Sequence, residues 1–343
     1  MLNTRFFLLT LTLALSLCSS GFAQIRSISK IVDKNKIDAE GERKICDYAL
    51  GWAGELLTVD SNALKEANKK LASPFRPSVR ISSVGRSLYG KYLRQGLEPL
   101  LKKSNTNEMS AVNALQILSL LGTEEGCQIL LNHADTATEN RPALRLWASV
   151  GLGTSFSTGE LPIKRITGYA KLVSNFTKKE PEWFVLTRQF DSLASLQSIP
   201  RLDRSKRNQI EKLSFELQTK ALVDLLNSID STGDIDSRAQ ALPFILPSLM
   251  LQLIEPSVDN NIKSDVLNTI REPLTRFITS AVSLNFGEND EAMFVAYGNA
   301  VQSAGELISR DTESRENVDL LEFWNDKQGS KILEVVETWE KSK

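Results

Sequence analysis

The sequence predicts an all-α protein of stacked antiparallel helical hairpins. Three observations lead there. Apolar residues recur at spacings of three and four along most of the chain, and alternating β-type runs are nearly absent. Ser, Thr, Asp, Pro and Gly stand where helices would start and stop.

The chain opens MLNTRFFLLTLTLALSLCSSGFAQ. Arg5 precedes the apolar run Phe6–Leu17, and Gly21 and Ala23 are the small residues before Gln24. This is the pattern of a signal peptide over residues 1–23, cut at Ala23–Gln24. The apolar run is shorter than the roughly 20 residues a membrane-spanning helix needs. The expected mature protein is therefore exported, periplasmic or secreted, and carries no transmembrane segment. Cys18 suits lipidation poorly, because Leu17 rather than a small residue comes before it.

Residues 24–37 are polar and mixed, and read as a flexible leader to a helical repeat-like domain over 38–343. Ile45, Tyr48, Ala49, Trp52 and Leu56 share one helical face. Ser61 is the expected N-cap of a short helix ending near Leu71, and Pro74 and Pro77 punctuate the stretch after it. Two basic helical segments are expected over 79–95 and 97–103. Residues 107–121 form the clearest amphipathic helix, with Gly122 as a left-handed stop. Thr123 then caps TEEGCQILL, where Glu124 and Glu125 complement the positive helix start.

Further helices are expected over 161–176, 181–198, 204–228, 236–254, 259–284, 289–307, 313–325 and 329–341. Pro273 should kink or split its helix, because it removes an intrahelical hydrogen bond. ALPFILPSLMLQLI at 241–254 reads as a buried core helix. IPRLDRSK at 199–206 is the best internal subdivision of the domain.

NALQILSLLG at 113–122 is echoed by PALRLWASVGLG at 142–153. An offset of 29 residues pairs Ala114 with Ala143, Leu115 with Leu144, Ile117 with Leu146, Leu118 with Trp147 and Gly122 with Gly151. Repeated antiparallel helix pairs with short turns resemble HEAT and armadillo-type α-solenoids, best over 107–153. The resemblance implies an α-solenoid-like stack whose surface binds a partner, in keeping with a non-enzymatic binding or scaffolding protein.

Candidate chemistry is sparse. The chain has three cysteines and one histidine, too few for a Cys/His zinc cluster. A mature exported chain would keep Cys46 and Cys127, a candidate disulfide pair. Asp230, Asp234 and Asp236 in DSTGDID lack the spacing of an EF-hand loop and read as turn and cap residues. GTSFSTG at 153–159 does not match G-x-S-x-G, and Ser27–Lys30 fits S-x-x-K without a downstream K-T-G. His133, in LLNHAD, lies near a helix C-terminus, where the helix dipole favours it. No catalytic residue, cofactor site or metal site emerges from these patterns.

Two acids sit beside aromatic pairs: Glu182 with Trp183 and Phe184, and Glu322 with Phe323 and Trp324. They leave a carboxylate-dependent glycan hydrolase of the cell envelope or extracellular space as the enzymatic alternative.

The charge distribution is more informative. The whole chain is near neutral, with 41 Lys and Arg against 42 Asp and Glu, which argues against specific nucleic-acid binding. Residues 69–103, however, hold nine cations and only Glu98 as an anion, whereas 288–340 holds thirteen acids and four bases. Helical spacing sets Ile81, Val84, Leu88 and Tyr92 on one side and Arg80, Arg86, Lys91 and Arg94 on the other. Those four cations are the candidate binding residues for an anionic lipid surface or polysaccharide. A protein is the leading expected partner.

Overall fold

The computed structural model describes residues 27–57, 60–76, 79–102, 104, 107–158, 160–310 and 318–341. The leader over 1–23 lies outside them. Among the described residues the chain is all-α, with no strand. No described helix is long and apolar enough to cross a membrane. The chain divides into two compact units, one ending at Leu130 and the other starting at Leu131. Residues 199–206 lie within the second.

The first unit contains α1 (Ser29–Val32), α2 (Ala39–Glu55), α3 (Ser61–Ala72), α4 (Ser83–Leu101) and α5 (Glu108–Ser119). Its caps follow the chain's polar punctuation. Asp38, Asp60, Ser82 and Asn107 each accept a backbone N–H from the first turn of the following helix. Asp60, rather than the expected Ser61, therefore caps α3. Gly122 takes φ +58° after α5, the left-handed stop expected there. Thr123 caps α6 (Glu124–Ala134) through Gly126 N–H at 3.2 Å. The unit boundary falls within this helix.

The closest packing in this unit is α4 on α2, two helices back, and α5 also reaches α3. The core holds Ile45, Tyr48, Tyr89, Leu93, Leu97 and Leu115. Tyr48 and Tyr89 bury their rings and donate their hydroxyls to the Lys70 and Leu71 carbonyls, both at 2.7 Å. They add hydrogen bonds to carbonyls in the last turn of α3, where helical partners run out; the Lys70 carbonyl also accepts the Ser73 N–H.

Three expectations change in this unit. Part of the expected leader is packed: Ile28 and Val32 are buried, whereas residues 33–36 are exposed. The two helices expected over 79–95 and 97–103 are one among the described residues, since α4 runs unbroken past Pro99. The buried stripe of α4 is Gly85, Tyr89, Leu93, Leu97 and Leu100, while Val84 is exposed and Leu88 and Tyr92 are half-buried. Glycine carries no apolar signal, yet Gly85, Gly90 and Gly96 are where other parts of the unit come closest.

The second unit contains α7 (Pro142–Ser157), α8 (Ile163–Phe176), α9 (Trp183–Ala194), α10 (Arg204–Asp230), α11 (Leu242–Ile254), α12 (Asn260–Val282), α13 (Glu291–Ser309), α14 (Leu320–Asn325) and α15 (Gly329–Lys341). Here too helices two apart in sequence lie side by side: α7 with α9, α8 with α10, α10 with α12 and α11 with α13. Short polar links tie the layers. Ser192 Oγ donates to the Ser149 carbonyl at 2.5 Å, and Ser174 Oγ to that of Leu217 at 3.3 Å. Gln252 Oε1 accepts from Gln197 at 2.7 Å and Gln218 at 3.0 Å.

Pro273 does not split α12, which runs unbroken through it with the proline ring buried. The 29-residue alignment does not carry over to burial. Leu118 is buried where Trp147 is half-buried, and Gly151 lies inside α7 rather than at a helix stop. The echo reflects shared helical periodicity, and neighbouring helices decide which face of each copy is covered.

Candidate functional site

Two features of the second unit stand out: a buried charge cluster and an exposed apolar stripe. The cluster begins at the end of α6. Its last-turn His133 places Nδ1 2.8 Å from Glu139 Oε2. Arg141 grips the same carboxylate with Nε at 2.8 Å, Nη2 at 2.7 Å and its backbone N–H at 3.0 Å. One turn into α7, Arg145 donates to the Glu139 carbonyl at 3.2 Å and forms a two-pronged pair with Glu180 at 2.8 and 2.9 Å. Glu139, Arg145 and Glu180 are all buried.

Burial alone would push the Glu139 carboxyl up. The bonds from Arg141 and His133 outweigh it and hold the group at about 2. The arrangement locks the turn between α6 and α7 and the start of α9 onto the core. His133 is thus engaged by a carboxylate, but that carboxylate is already neutralised by an arginine. The sequence drew attention to His133 alone; Glu139, Arg145 and Glu180 are common residue types, distant along the chain and without a motif.

The strength of this cluster should depend on pH. Glu139 is ionised in the folded state down to about pH 2, against an ordinary value of 4.5. Its stabilising contribution is complete above the ordinary value and fades as pH falls from about 4.5 towards 2. Glu139→Gln should therefore melt well below the wild type at neutral pH, and the gap should narrow in acid. A gap of constant size down to pH 2 would show that the ionised carboxylate is not what stabilises the turn.

The apolar stripe lies on α11, whose sequence LPFILPSLMLQLI contains no charge. Leu242, Ile245, Leu246, Leu249 and Leu253 point inward. On the other side Phe244 is 54% exposed, Leu251 60% and Ile254 46%, with half-buried Pro247 between them. Positions 244, 247, 251 and 254 are three and four apart, so they form one continuous line along the helix. Trp183, from the start of α9, stacks on Phe244 with ring centres 5.6 Å apart, and Phe184 meets Trp183 edge-on at 5.8 Å. The core-helix expectation for 241–254 is thus half correct. With no charge and only Ser248 and Gln252 as polar residues, the helix offers little from which to read its orientation.

The predicted basic face is largely engaged within the first unit. Arg80 pairs with Asp33 at 3.5 Å, and Lys91 with Glu42 at 3.4 Å. Arg86 is half-buried, donates to the Leu121 carbonyl at 2.7 Å and lies over the Phe75 ring. Its role there is to satisfy the end of α5. Arg94 is exposed and makes no ion pair among the described residues.

The other candidates are structural in their contacts. Cys46 is half-buried and Cys127 buried, and no bridge joins them; Cys127 packs as a small core residue. Asp236 caps a short 3-10 turn and pairs with Arg238, while Asp230 accepts from Ser280. Among the described residues no group of three His, Cys, Asp or Glu could hold a metal ion. Thr154, Ser157 and Thr158 donate to carbonyls three or four residues back. Trp324 is buried against Phe286 and Phe294, and its Nε1 donates to the Phe294 carbonyl at 3.1 Å.

No protein-family model matches the chain, and no curated protein matches it as a relative.

Proposed function

We propose that this is an exported, non-enzymatic binding or scaffolding protein whose helical-repeat surface engages another protein. The observation that carries the reading is the uncharged α11, which turns Phe244, Pro247, Leu251 and Ile254 outward beside the Trp183–Phe244 stack. Aliphatic and aromatic groups aligned at helical spacing suit an apolar partner surface, and rigid aromatic residues are favoured anchors in such contacts. The signal-peptide pattern over residues 1–23 supports export. The similarity to HEAT-type stacking belongs to the same reading and rests on the layering of helices two apart.

The alternatives draw less support. A glycan hydrolase needs two carboxyls facing a cleft, one of them kept protonated. The buried acids Glu139 and Glu180 are instead neutralised by Arg141 and Arg145. Anionic lipid or polysaccharide would have to compete with Asp33 and Glu42 for Arg80 and Lys91.

A photo-crosslinking residue at Leu251, expressed in the native host, identifies the partner. The purified pair is then measured with Phe244→Asp/Leu251→Asp. Both side chains are exposed, so the double variant should melt within about 1 kcal/mol of the wild type. Affinity should fall at least tenfold, because each charge would have to be desolvated at the contact. Undiminished binding by a folded double variant would refute the stripe as the docking face.

A further inference from the structure

The middle of α10 and the first half of α12 enclose a groove of about 380 Å³. Phe215 and Val266 are buried along it, and Val223 and Ile262 are half-buried. Thr219 also lines it and is only 6% exposed, yet its hydroxyl has no hydrogen-bond partner. Several helical Thr hydroxyls in this chain return to the carbonyl four residues back, as at Thr154, Thr187, Thr269 and Thr279. Thr219 does not, and Thr275, outside the groove lining, is unpartnered as well. A buried hydroxyl without a partner is costly, and a ligand atom that supplied one would recover that cost.

The charges along the groove divide into spent and unspent. Lys212 is near Glu216 at 3.9 Å, and Asp224 is paired with Lys178 at 3.0 Å. Lys220 on the α10 wall and Asp265 on the α12 wall are exposed and form no ion pair among the described residues. One cation, one anion, one buried hydroxyl and an apolar lining are therefore left over on facing helices.

We propose that this groove binds a small zwitterion with an apolar body, the chemistry of a short apolar peptide with free termini. Lys220 takes the carboxylate, Asp265 takes the ammonium group, and Thr219 bonds the peptide amide between them. The apolar side chains lie against Phe215, Val223 and Val266. The volume falls within the range of small-ligand sites, about 300–1,000 Å³, at the end suited to a few residues and not to a folded partner. This site involves α10 and α12, so it stands independently of the α11 stripe.

Isothermal titration calorimetry of the full chain with leucyl-leucine tests the proposal. Leucyl-leucine should bind, and its N-acetylated, C-amidated form should bind about tenfold more weakly or worse, since each terminus contributes a charge-assisted bond. Lys220→Met and Asp265→Asn should each weaken binding by about tenfold; both side chains are exposed, so the fold should persist. Thr219→Val should weaken binding by at least about threefold while raising the melting temperature of the free protein, because it removes an unpartnered buried hydroxyl. A purely structural threonine would not produce that opposite movement. No heat with leucyl-leucine at millimolar concentration overturns the proposal. So does equal binding of the capped peptide, or variants that bind like the wild type.

Discussion

Glu180→Ala is expected to cost about 3–5 kcal/mol of folding stability. Glu180 is fully buried and accepts both prongs of the Arg145 guanidinium, itself only slightly accessible. Removing the carboxylate leaves a buried cation with one remaining bond, to the Glu139 carbonyl at 3.2 Å. It also frees the Glu182 N–H, which Glu180 accepts at 3.1 Å ahead of α9. The comparison that isolates the cause is Arg145→Met/Glu180→Leu. Replacing both charges with apolar groups removes the desolvation cost together with the attraction, so the double variant should be more stable than either Glu180→Ala or Arg145→Ala. Urea unfolding followed by circular dichroism decides it. A midpoint for Glu180→Ala equal to that of the wild type would mean that water reaches Arg145 and the pair does not stabilise the folded chain.

Gly85→Ala should cost about 3 kcal/mol, a large effect for a single methyl group. A Cβ at this position would lie 2.0 Å from the Val32 carbonyl oxygen. Backbone cannot rotate aside as a side chain can. The same carbonyl accepts the Ser82 N–H at 2.9 Å, and Ser82 Oγ donates to the Lys34 carbonyl at 2.7 Å. The chain therefore either distorts α4 or releases residues 28–34. Release exposes Ile28 and Val32, each worth about 1.5–3 kcal/mol when buried, which sets a similar scale for the loss. Trypsin should then cut at Lys34 and Lys36 faster than in the wild type. Gly54→Ala and Gly168→Ala are the controls. A Cβ at either meets nothing within 4 Å, so both should gain about 0.5–1 kcal/mol from helix propensity. If Gly85→Ala behaves like these two, α1 is not held against α4 as described.

The helical class was legible because it is written in local spacing. Apolar residues three and four apart place themselves on one face whatever the helix later meets. Stops and starts are equally local, and Gly122 and Thr123 behave as their chemistry requires. Local rules err where a second segment supplies the deciding contact. Val84 and Leu88 outrank Gly85 in apolar character, but the carbonyl of Val32 needs the space only glycine leaves. Arg86 and Lys91 read as an open cationic face until the Leu121 carbonyl and Glu42 come into reach.

The candidate sites divide the same way. The absence of charge in α11 is a sequence property; which of its sides is covered depends on the helices beside it. Glu139, Arg145 and Glu180 carry no motif, because a buried ion pair needs only two complementary groups brought together by packing, at any separation along the chain. Thr219 is one threonine among many in sequence, and only its burial without a partner in the wall of a groove sets it apart. Periodicity and capping are interactions within a few residues, so the amino-acid order by itself determined the helical class and many of the starts and stops. Burial, ion pairing and hydroxyl satisfaction are interactions between distant segments, so the tertiary structure alone decided which faces are closed and which remain open for binding.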